Sequence, residues 1–201
     1  MHIPGGFING QTCWITNVIS GGLILTALSK LKEVKNNQKF LFYGLAAALI
    51  FALQMLNFPI VNGTSGHFLG GALAYLVAGP WIGSLLIGIV LAIQAFLFND
   101  GGILALGANI LCMGIVGVWV PYLIQKILPR QNKYVVIALA AWGSVLFASL
   151  TASILLAISG TIPLAKVLPA MLGFHALIGV GEAAITLVAY ALFVDESALL
   201  K

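Results

Sequence analysis

Long apolar runs, interrupted by short polar or glycine- and proline-containing segments, dominate the sequence of 201 residues. A membrane span needs about 20 mostly apolar residues, so runs of this length predict helices that cross a bilayer. Charged residues, glycine and proline mark the breaks between them. The pattern predicts seven helices, at residues 12–29, 40–57, 67–79, 81–98, 104–125, 134–158 and 170–193. The third predicted helix is short for a full span.

The composition supports a membrane protein. Hydrophobic residues make up 61% of the chain and charged residues 7%, whereas soluble domains are near a quarter charged. We therefore expect an all-α integral membrane protein, folded as one compact bundle of about seven transmembrane helices. Residues 1–201 are predicted to form a single transmembrane domain, because no segment is left for a soluble one.

The basic residues predict the orientation of this bundle. One set of predicted connections and the chain end hold nearly all of them: Lys30, Lys32, Lys35, Lys39, Lys126, Arg130, Lys133 and Lys201. The opposite set holds only Lys166. The positive-inside rule then predicts that the N-terminus is outside and the C-terminus cytoplasmic, in the plasma membrane. The net charge of +4 thus reflects orientation, and we expect the lipid bilayer as a partner and no nucleic acid.

This orientation brings three polar segments to the outer side, at residues 1–11, 58–66 and 99–102. We expect them to meet at one outward-facing mouth. No Lys or Arg precedes the first apolar stretch, so no cleaved signal is predicted. Initiator methionine is normally kept before a large residue such as His2, so the mature chain is expected to begin at Met1.

Met1 and His2 form a potential set of metal ligands. The terminal amine, the peptide nitrogen of His2 and its Nδ1 atom can bind one ion together, closing a five-membered and a six-membered ring. Planar nitrogen coordination is typical of Ni(II) and Cu(II). His67 is the best candidate for the fourth nitrogen, because the chain has only three histidines and two of them fall at the same predicted face. The planar nitrogen donors therefore favour Ni(II) as the bound substrate, while Co(II) can also use such a site and Cu(II) would bind well if it were supplied.

Other polar residues inside the predicted spans are expected to orient the metal ligands, take part in coupling or support the fold, because such residues are costly in lipid. These residues are Asn57, Gln94, Asn109, His175 and Glu182. The amides could orient the imidazoles, since metal-bound histidines usually donate their other N–H to an oxygen. For His175 and Glu182 we favour a structural role, with transient metal binding by His175 and coupling or ion passage at Glu182 as the alternatives.

A second hypothesis is an intramembrane metalloenzyme with a metal site at His67, His175 and Glu182. The sequence has no Walker motif, no GxSxG and no HExxH. We therefore predict that the chain is not an enzyme, has no catalytic residues or resident cofactor, and cannot hydrolyse ATP alone.

Several blocks resemble the CbiM/NikM family, the substrate-binding S components of energy-coupling factor transporters for cobalt and nickel. The blocks are Met1-His2-Ile3-Pro4-Gly5-Gly6-Phe7, Asn57-Phe58-Pro59, Gly63-Thr64-Ser65-Gly66-His67-Phe68-Leu69-Gly70-Gly71, Gly79-Pro80-Trp81, Gln94 through Gly107-Ala108-Asn109, and His175-Ala176-Leu177-Ile178-Gly179-Val180-Gly181-Glu182. They extend over nearly the whole chain, and the most specific are the N-terminal block and the pair formed by Asn57-Phe58-Pro59 with the segment from Gly63 to Gly71.

The resemblance implies that the metal is held by the N-terminal amine, the amide and imidazole of His2, and His67. It also implies a transmembrane coupling subunit, two ATPase subunits and, in many systems, a small accessory membrane subunit. Members often carry an acidic residue where Gly5 stands and an Asn where Cys112 stands. These departures concern the entrance and an inner hydrogen-bond network, and they leave the proposed ligands in place.

Overall fold

The protein is described here by a computed structural model, in which residues 1–32 and 37–194 form a bundle of helices joined by short connections. The α-helices are α1 (Gly10–Leu31), α2 (Asn37–Gln54), α3 (Gly71–Leu97), α4 (Leu106–Asn109), α5 (Gly117–Ile127), α6 (Lys133–Ile158) and α7 (Leu164–Ala189). Strands β1 (Phe58–Pro59) and β2 (Ser65–Gly66) pair antiparallel between α2 and α3. Ile110–Val116 and Tyr190–Val194 are π-helical.

Within the described part of the chain, five helices are long and apolar enough to cross a membrane. They are Gly10–Leu31, Gly71–Leu97, Leu106–Ile127, Lys133–Ile158 and Leu164–Leu192. The predicted number of seven full spans is therefore not confirmed. Helix α2, which begins with the polar residues Asn37, Gln38 and Lys39, is not among the five. The predicted third and fourth helices are the two arms of the single helix α3.

The two arms of α3 meet at Gly79, whose backbone is not helical, with φ 73° and ψ 177°. Pro80 follows it. Glycine adopts positive φ without a steric cost, and proline has no N–H to continue the helix. A Cβ atom on Gly83 would lie 2.9 Å from the carbonyl oxygen of Ala74, although nine residues of continuous helix would span about 13 Å. The chain therefore folds back here, and the predicted break between residues 79 and 81 is confirmed.

Leu106–Ile127 forms one span from α4, the π-helical segment and α5. It lies very close to the start of α3, because a Cβ atom on Gly71 would meet the carbonyl oxygen of Gly117 at 2.4 Å. Large apolar side chains such as Trp14, Leu25 and Leu177 are exposed on the outside of the bundle. Such apolar faces are suited to contact with lipid. Non-helical backbone that lies at membrane depth must instead be enclosed by protein.

The three polar segments expected at one mouth do meet. The amide of Asn57 donates to Asp100 Oδ2 at 3.1 Å, and Gly102 N donates to the carbonyl of Ile3 at 3.0 Å. We name this end of the bundle, made of residues 1–9, 55–70 and 98–105, the site end. Lys35 and Lys201, which entered the predicted orientation, lie outside the described residues.

Candidate metal centre

The first three residues are buried at the site end without regular secondary structure. Met1 and Ile3 are fully buried in the apolar core, and His2 is 3% exposed. Buried main-chain groups need partners, and Asn109 supplies them: Oδ1 accepts from Ile3 N at 2.8 Å, and Nδ2 donates to Ile3 O at 3.2 Å. The N-terminus is therefore held in a defined conformation by both its side chains and its backbone.

The amine of Met1 and the amide of His2 point to the same atom. Both donate to Ser65 Oγ, at 2.7 Å and 3.1 Å. The His2 ring contacts Gln94 through Nε2 and Oε1 at 3.0 Å. Because a carbonyl oxygen only accepts, Nε2 carries the proton and Nδ1 carries the lone pair. His2 Nδ1 is buried and makes no hydrogen bond, so amine, amide and Nδ1 can serve together as a chelate.

His67 presents a second lone pair beside this chelate. Its Nδ1 donates to the carbonyl of Phe68 at 2.6 Å, which leaves the buried Nε2 without a partner. The centroids of the His2 and His67 rings are 4.6 Å apart. Two imidazoles at neighbouring positions of one planar ion, with metal–nitrogen bonds of about 2.0 Å, would have centroids about 4.4 Å apart. The observed separation is close to this value, and the two rings are stacked with an interplanar angle of 26°.

Burial favours the unprotonated form of the Met1 amine and of the two imidazoles. It lowers the pKa of His2 to about 3 and holds the pKa of both His67 and the Met1 amine well below their ordinary values. Burial raises the pKa of Asp100, and the nearby amine and the Asn57 amide partly oppose that rise. Asp100 Oδ1 lies 3.4 Å from His2 Nδ1, but a neutral ring makes no salt bridge. The carboxylate instead supplies negative charge beside the position of a cation.

The other predicted residues divide into two groups. Gln94 and Asn109 contact the N-terminal segment directly, while the exposed Asn57 reaches it only through Asp100. His175 and Glu182 lie on α7. Glu182 accepts from the backbone N–H groups of Leu69 and Gly70 at 2.6 Å each, and so ties α7 to the segment that carries His67.

His175 donates from Nδ1 to the carbonyl of Met171 at 2.7 Å, and its buried Nε2 has no partner. It lies within electrostatic range of His67 and the Met1 amine. The described residues contain no group of three or more His, Cys, Asp or Glu side chains that could hold a metal. The hypothesis of a His67, His175 and Glu182 centre is therefore not supported, and a site at Met1, His2 and His67 depends on main-chain nitrogens.

Sequence reasoning missed Ser65 at this end, whereas Gln54 already stands out in the sequence as a polar residue inside a predicted span. Ser65 accepts both main-chain hydrogen bonds of the chelate, and Gln54 donates to the carbonyl of Leu69 at 2.7 Å. A signal for Ser65 exists in the sequence, since it is a polar residue two positions before His67 in a glycine-rich segment. Its contact with Met1, 64 residues away, could not be read from that position.

Fold and site together define a multi-pass membrane protein with a cluster of buried nitrogen atoms at one end, and the plasma membrane is its expected location. Residues 2–198 match the model of the CbiM family, described as the cobalt uptake substrate-specific transmembrane region. The chain belongs to this family.

Relatives have related names. Over 161 residues the chain is 37% identical to a cobalt transport protein CbiM of Clostridium tetani, covering 79% of this chain and 67% of that protein. Over 188 residues it is 40% identical to a protein of Archaeoglobus fulgidus provisionally named as a fused nickel transport protein NikMN, covering 92% of this chain. The chain spans only 63% of the length of that relative.

Solved structures are similar over the whole fold. A structure described as a transition metal transporter superposes with a TM-score of 0.91 at 31% identity, covering 100% of this chain and 96% of that one. A truncated transition metal transporter gives a TM-score of 0.90 at 31% identity, covering 96% and 98%. The all-helical architecture is thus that of a transition metal transporter.

Proposed function

We propose that the chain is the substrate-binding membrane subunit of an ATP-driven importer for nickel or cobalt ions, of the energy-coupling factor type. Residues 1–201 would act as one substrate-binding domain that captures the ion at the outer face. The ion would be bound by the Met1 amine, the deprotonated amide and Nδ1 of His2, and Nε2 of His67. The names of the relatives, as nickel and cobalt transport proteins, support this substrate class.

One observation carries the proposal: two buried imidazole nitrogens without a protein partner lie beside a buried amine and amide. Leaving a buried acceptor unpaired is costly, and a bound cation would satisfy both. The donors are all nitrogens, which favours Ni(II) or Co(II) over oxygen-preferring Mg²⁺, Ca²⁺ or Mn²⁺. The peptide nitrogen, which binds only when deprotonated, favours Ni(II) further.

The first test blocks the amine. A protein with one additional residue before Met1 converts the amine to an amide, so its chelate ring is lost and nickel binding measured by calorimetry should disappear. The control carries one additional residue after Lys201 and should bind as the native chain does. Intact mass must show that the native protein begins at Met1. Equal affinity of the two extended proteins would refute the site.

The second test concerns the histidines. His67→Ala removes a ligand, whereas His175→Ala removes a side chain that hydrogen-bonds only the Met171 carbonyl. With Ni(II), Co(II) and Cu(II) in competition, we expect the first variant to lose metal and the second to keep it. Loss of metal in both would assign His175 a direct role, and retention in both would exclude His67.

The proposed partners are a transmembrane coupling subunit and two ATPase subunits, with a small accessory membrane subunit in some systems. The chain would capture the ion, and ATP hydrolysis in the partners would drive its release inside. Uptake of radioactive nickel by cells that express the chain with and without such partners tests this. Equal uptake in both would contradict the ATP-driven mechanism without affecting the binding site.

A further inference from the structure

Ser65 lies at the point where the two main-chain nitrogens of the candidate site converge. Its single oxygen accepts from the Met1 amine at 2.7 Å and from the His2 amide at 3.1 Å. Both donors belong to residues that are at most 3% exposed. A serine hydroxyl has two acceptor lone pairs, so one side chain satisfies both buried donors.

The same oxygen and a bound ion exclude each other. A hydrogen-bond acceptor lies near the N–H direction of its donor, and an ion bound to the deprotonated nitrogen takes that direction too. A metal–nitrogen bond is about 2.0 Å long, while Ser65 Oγ is 3.1 Å from the His2 nitrogen. An ion in line between them would be about 1.1 Å from the oxygen, well inside a metal–ligand bond of about 2.0 Å.

The hydroxyl can move although its backbone is fixed. Ser65 is paired with Pro59 across the two short strands. A Cβ atom on the next residue, Gly66, would lie 2.7 Å from the Phe58 ring and 2.8 Å from Ile178, so the segment is tightly enclosed. Ser65 itself is only half-buried. Rotation of its side chain about χ1, without movement of the strand, is therefore the simplest way to free the nitrogens.

We propose that the Ser65 hydroxyl is an internal competitor of the ion. It accepts hydrogen bonds from the chelating nitrogens in the ion-free protein and accepts them again when the ion leaves. This inference rests on the proposed function, because it assigns these nitrogens to the ion. Without the hydroxyl, release would leave two buried N–H donors without an acceptor. Ser65 thus makes capture reversible, which a transporter needs.

Ser65→Ala tests the inference, because a hydroxyl that competes with the ion and a hydroxyl that binds the ion predict opposite changes in nickel affinity. Removing the hydroxyl leaves the His2 amide N–H unpaired only in the ion-free protein, because the amide has no proton once the ion is bound, so the ion-free protein loses stability relative to the loaded one. Nickel should therefore bind about tenfold more tightly, or about 1.4 kcal/mol. Dissociation into a chelator should slow by a similar factor. The visible absorption of planar Ni(II) should not change, because all four nitrogens remain.

Two variants serve as controls. Ser65→Thr retains the hydroxyl and should restore the native dissociation constant. Ser153→Ala removes a buried hydroxyl that bonds the Ser149 carbonyl within α6 at 2.8 Å, and it should leave nickel affinity unchanged. If Ser65→Ala fails to fold, Ser65→Gly removes the same hydroxyl and should bind more tightly in the same way.

Weaker binding in Ser65→Ala with an altered absorption spectrum would overturn the inference, because the oxygen would then be a ligand. Unchanged affinity and dissociation rate would overturn it as well. Failure of the proposed function has a different signature, in which the native-start protein and the one extended before Met1 bind nickel equally. If the protein extended before Met1 loses nickel binding and Ser65→Ala binds nickel more weakly, the proposed site stands and only the competitor role of Ser65 is wrong.

Discussion

At the scale of single residues, the candidate site depends on which nitrogen of each imidazole carries its proton. Gln94 accepts from His2 Nε2, and the Phe68 carbonyl accepts from His67 Nδ1. The two rings therefore present different atoms, Nδ1 and Nε2. Only Nδ1 of His2 can close the six-membered chelate ring with its own amide, so the Gln94 contact selects the tautomer that the chelate requires.

Gln94→Leu should weaken nickel binding. Loss of a partner that orients a metal-bound histidine typically costs 10- to 100-fold in affinity, and we expect about tenfold here. Gln94→Glu should recover most of it, because a carboxylate also accepts from Nε2–H. Gln125→Leu, at a glutamine that instead contacts Tyr75, is the control. Native affinity in Gln94→Leu, measured by calorimetry, would show that the contact does not select the tautomer.

The pH dependence of binding should report the amide proton alone. Burial lowers the pKa of His2 to about 3 and holds the pKa of the Met1 amine and of His67 below their ordinary values, so protons compete less with the ion at these three nitrogens. Binding then releases about one proton, from the amide, and the dissociation constant should rise about tenfold per unit fall in pH. If the logarithm of the dissociation constant did not change with pH, the amide would not be a ligand. A change of two or three units per pH unit would mean that an imidazole or the amine also loses a proton on binding.

The ligands of the proposed site can be inferred from the sequence, whereas the residues that surround them cannot. Amine, amide and Nδ1 belong to consecutive residues, so covalent geometry alone predicts that they can chelate one ion. His67 follows from the scarcity of histidine. The contact of Ser65 with Met1 and that of Asn109 with Ile3 join residues 64 and 106 positions apart, and only the folded chain brings them together.

At the scale of elements, one of two helical irregularities can be predicted from the local sequence and the other cannot. The break in α3 could be predicted, because Gly79 and Pro80 are local signals. The π-helical segment Ile110–Val116 could not, because its apolar residues would suit a regular helix equally well. The segment ends next to Gly117, whose backbone lies close to Gly71 in the folded chain, a contact that the local sequence does not reveal.

Gly71→Ala should therefore destabilise the bundle. Its Cβ atom would lie 2.4 Å from the carbonyl oxygen of Gly117, and backbone cannot yield as a flexible side chain can. Such overpacking typically costs about 1–3 kcal/mol, which thermal unfolding in detergent would detect. Gly22→Ala, at an exposed position of α1 with no atom within 4 Å, is the matched control. Equal melting temperatures would mean that α3 and α5 can separate without cost.

At the scale of the whole molecule, orientation decides what the site can do. The site end holds the amine, and the described basic residues of the α1–α2 and α5–α6 connections flank other helix ends: Lys30, Lys32, Lys39, Lys126, Arg130 and Lys133. Under the positive-inside rule the amine faces outward. Capture of an external ion is possible only in that orientation, so the proposed import requires the predicted topology.

Single cysteines at opposite ends measure this orientation directly. In a Cys13→Ala background, where Cys112 is 1% exposed and should not react, we expect Val61→Cys at the site end to be labelled in intact cells by a membrane-impermeant maleimide. Gln131→Cys, between α5 and α6, should react only after the membrane is permeabilised. The background protein must remain unlabelled in both conditions. The reverse pattern would turn the amine towards the cytoplasm, and the same nitrogen site would then bind ions from inside and could not serve uptake.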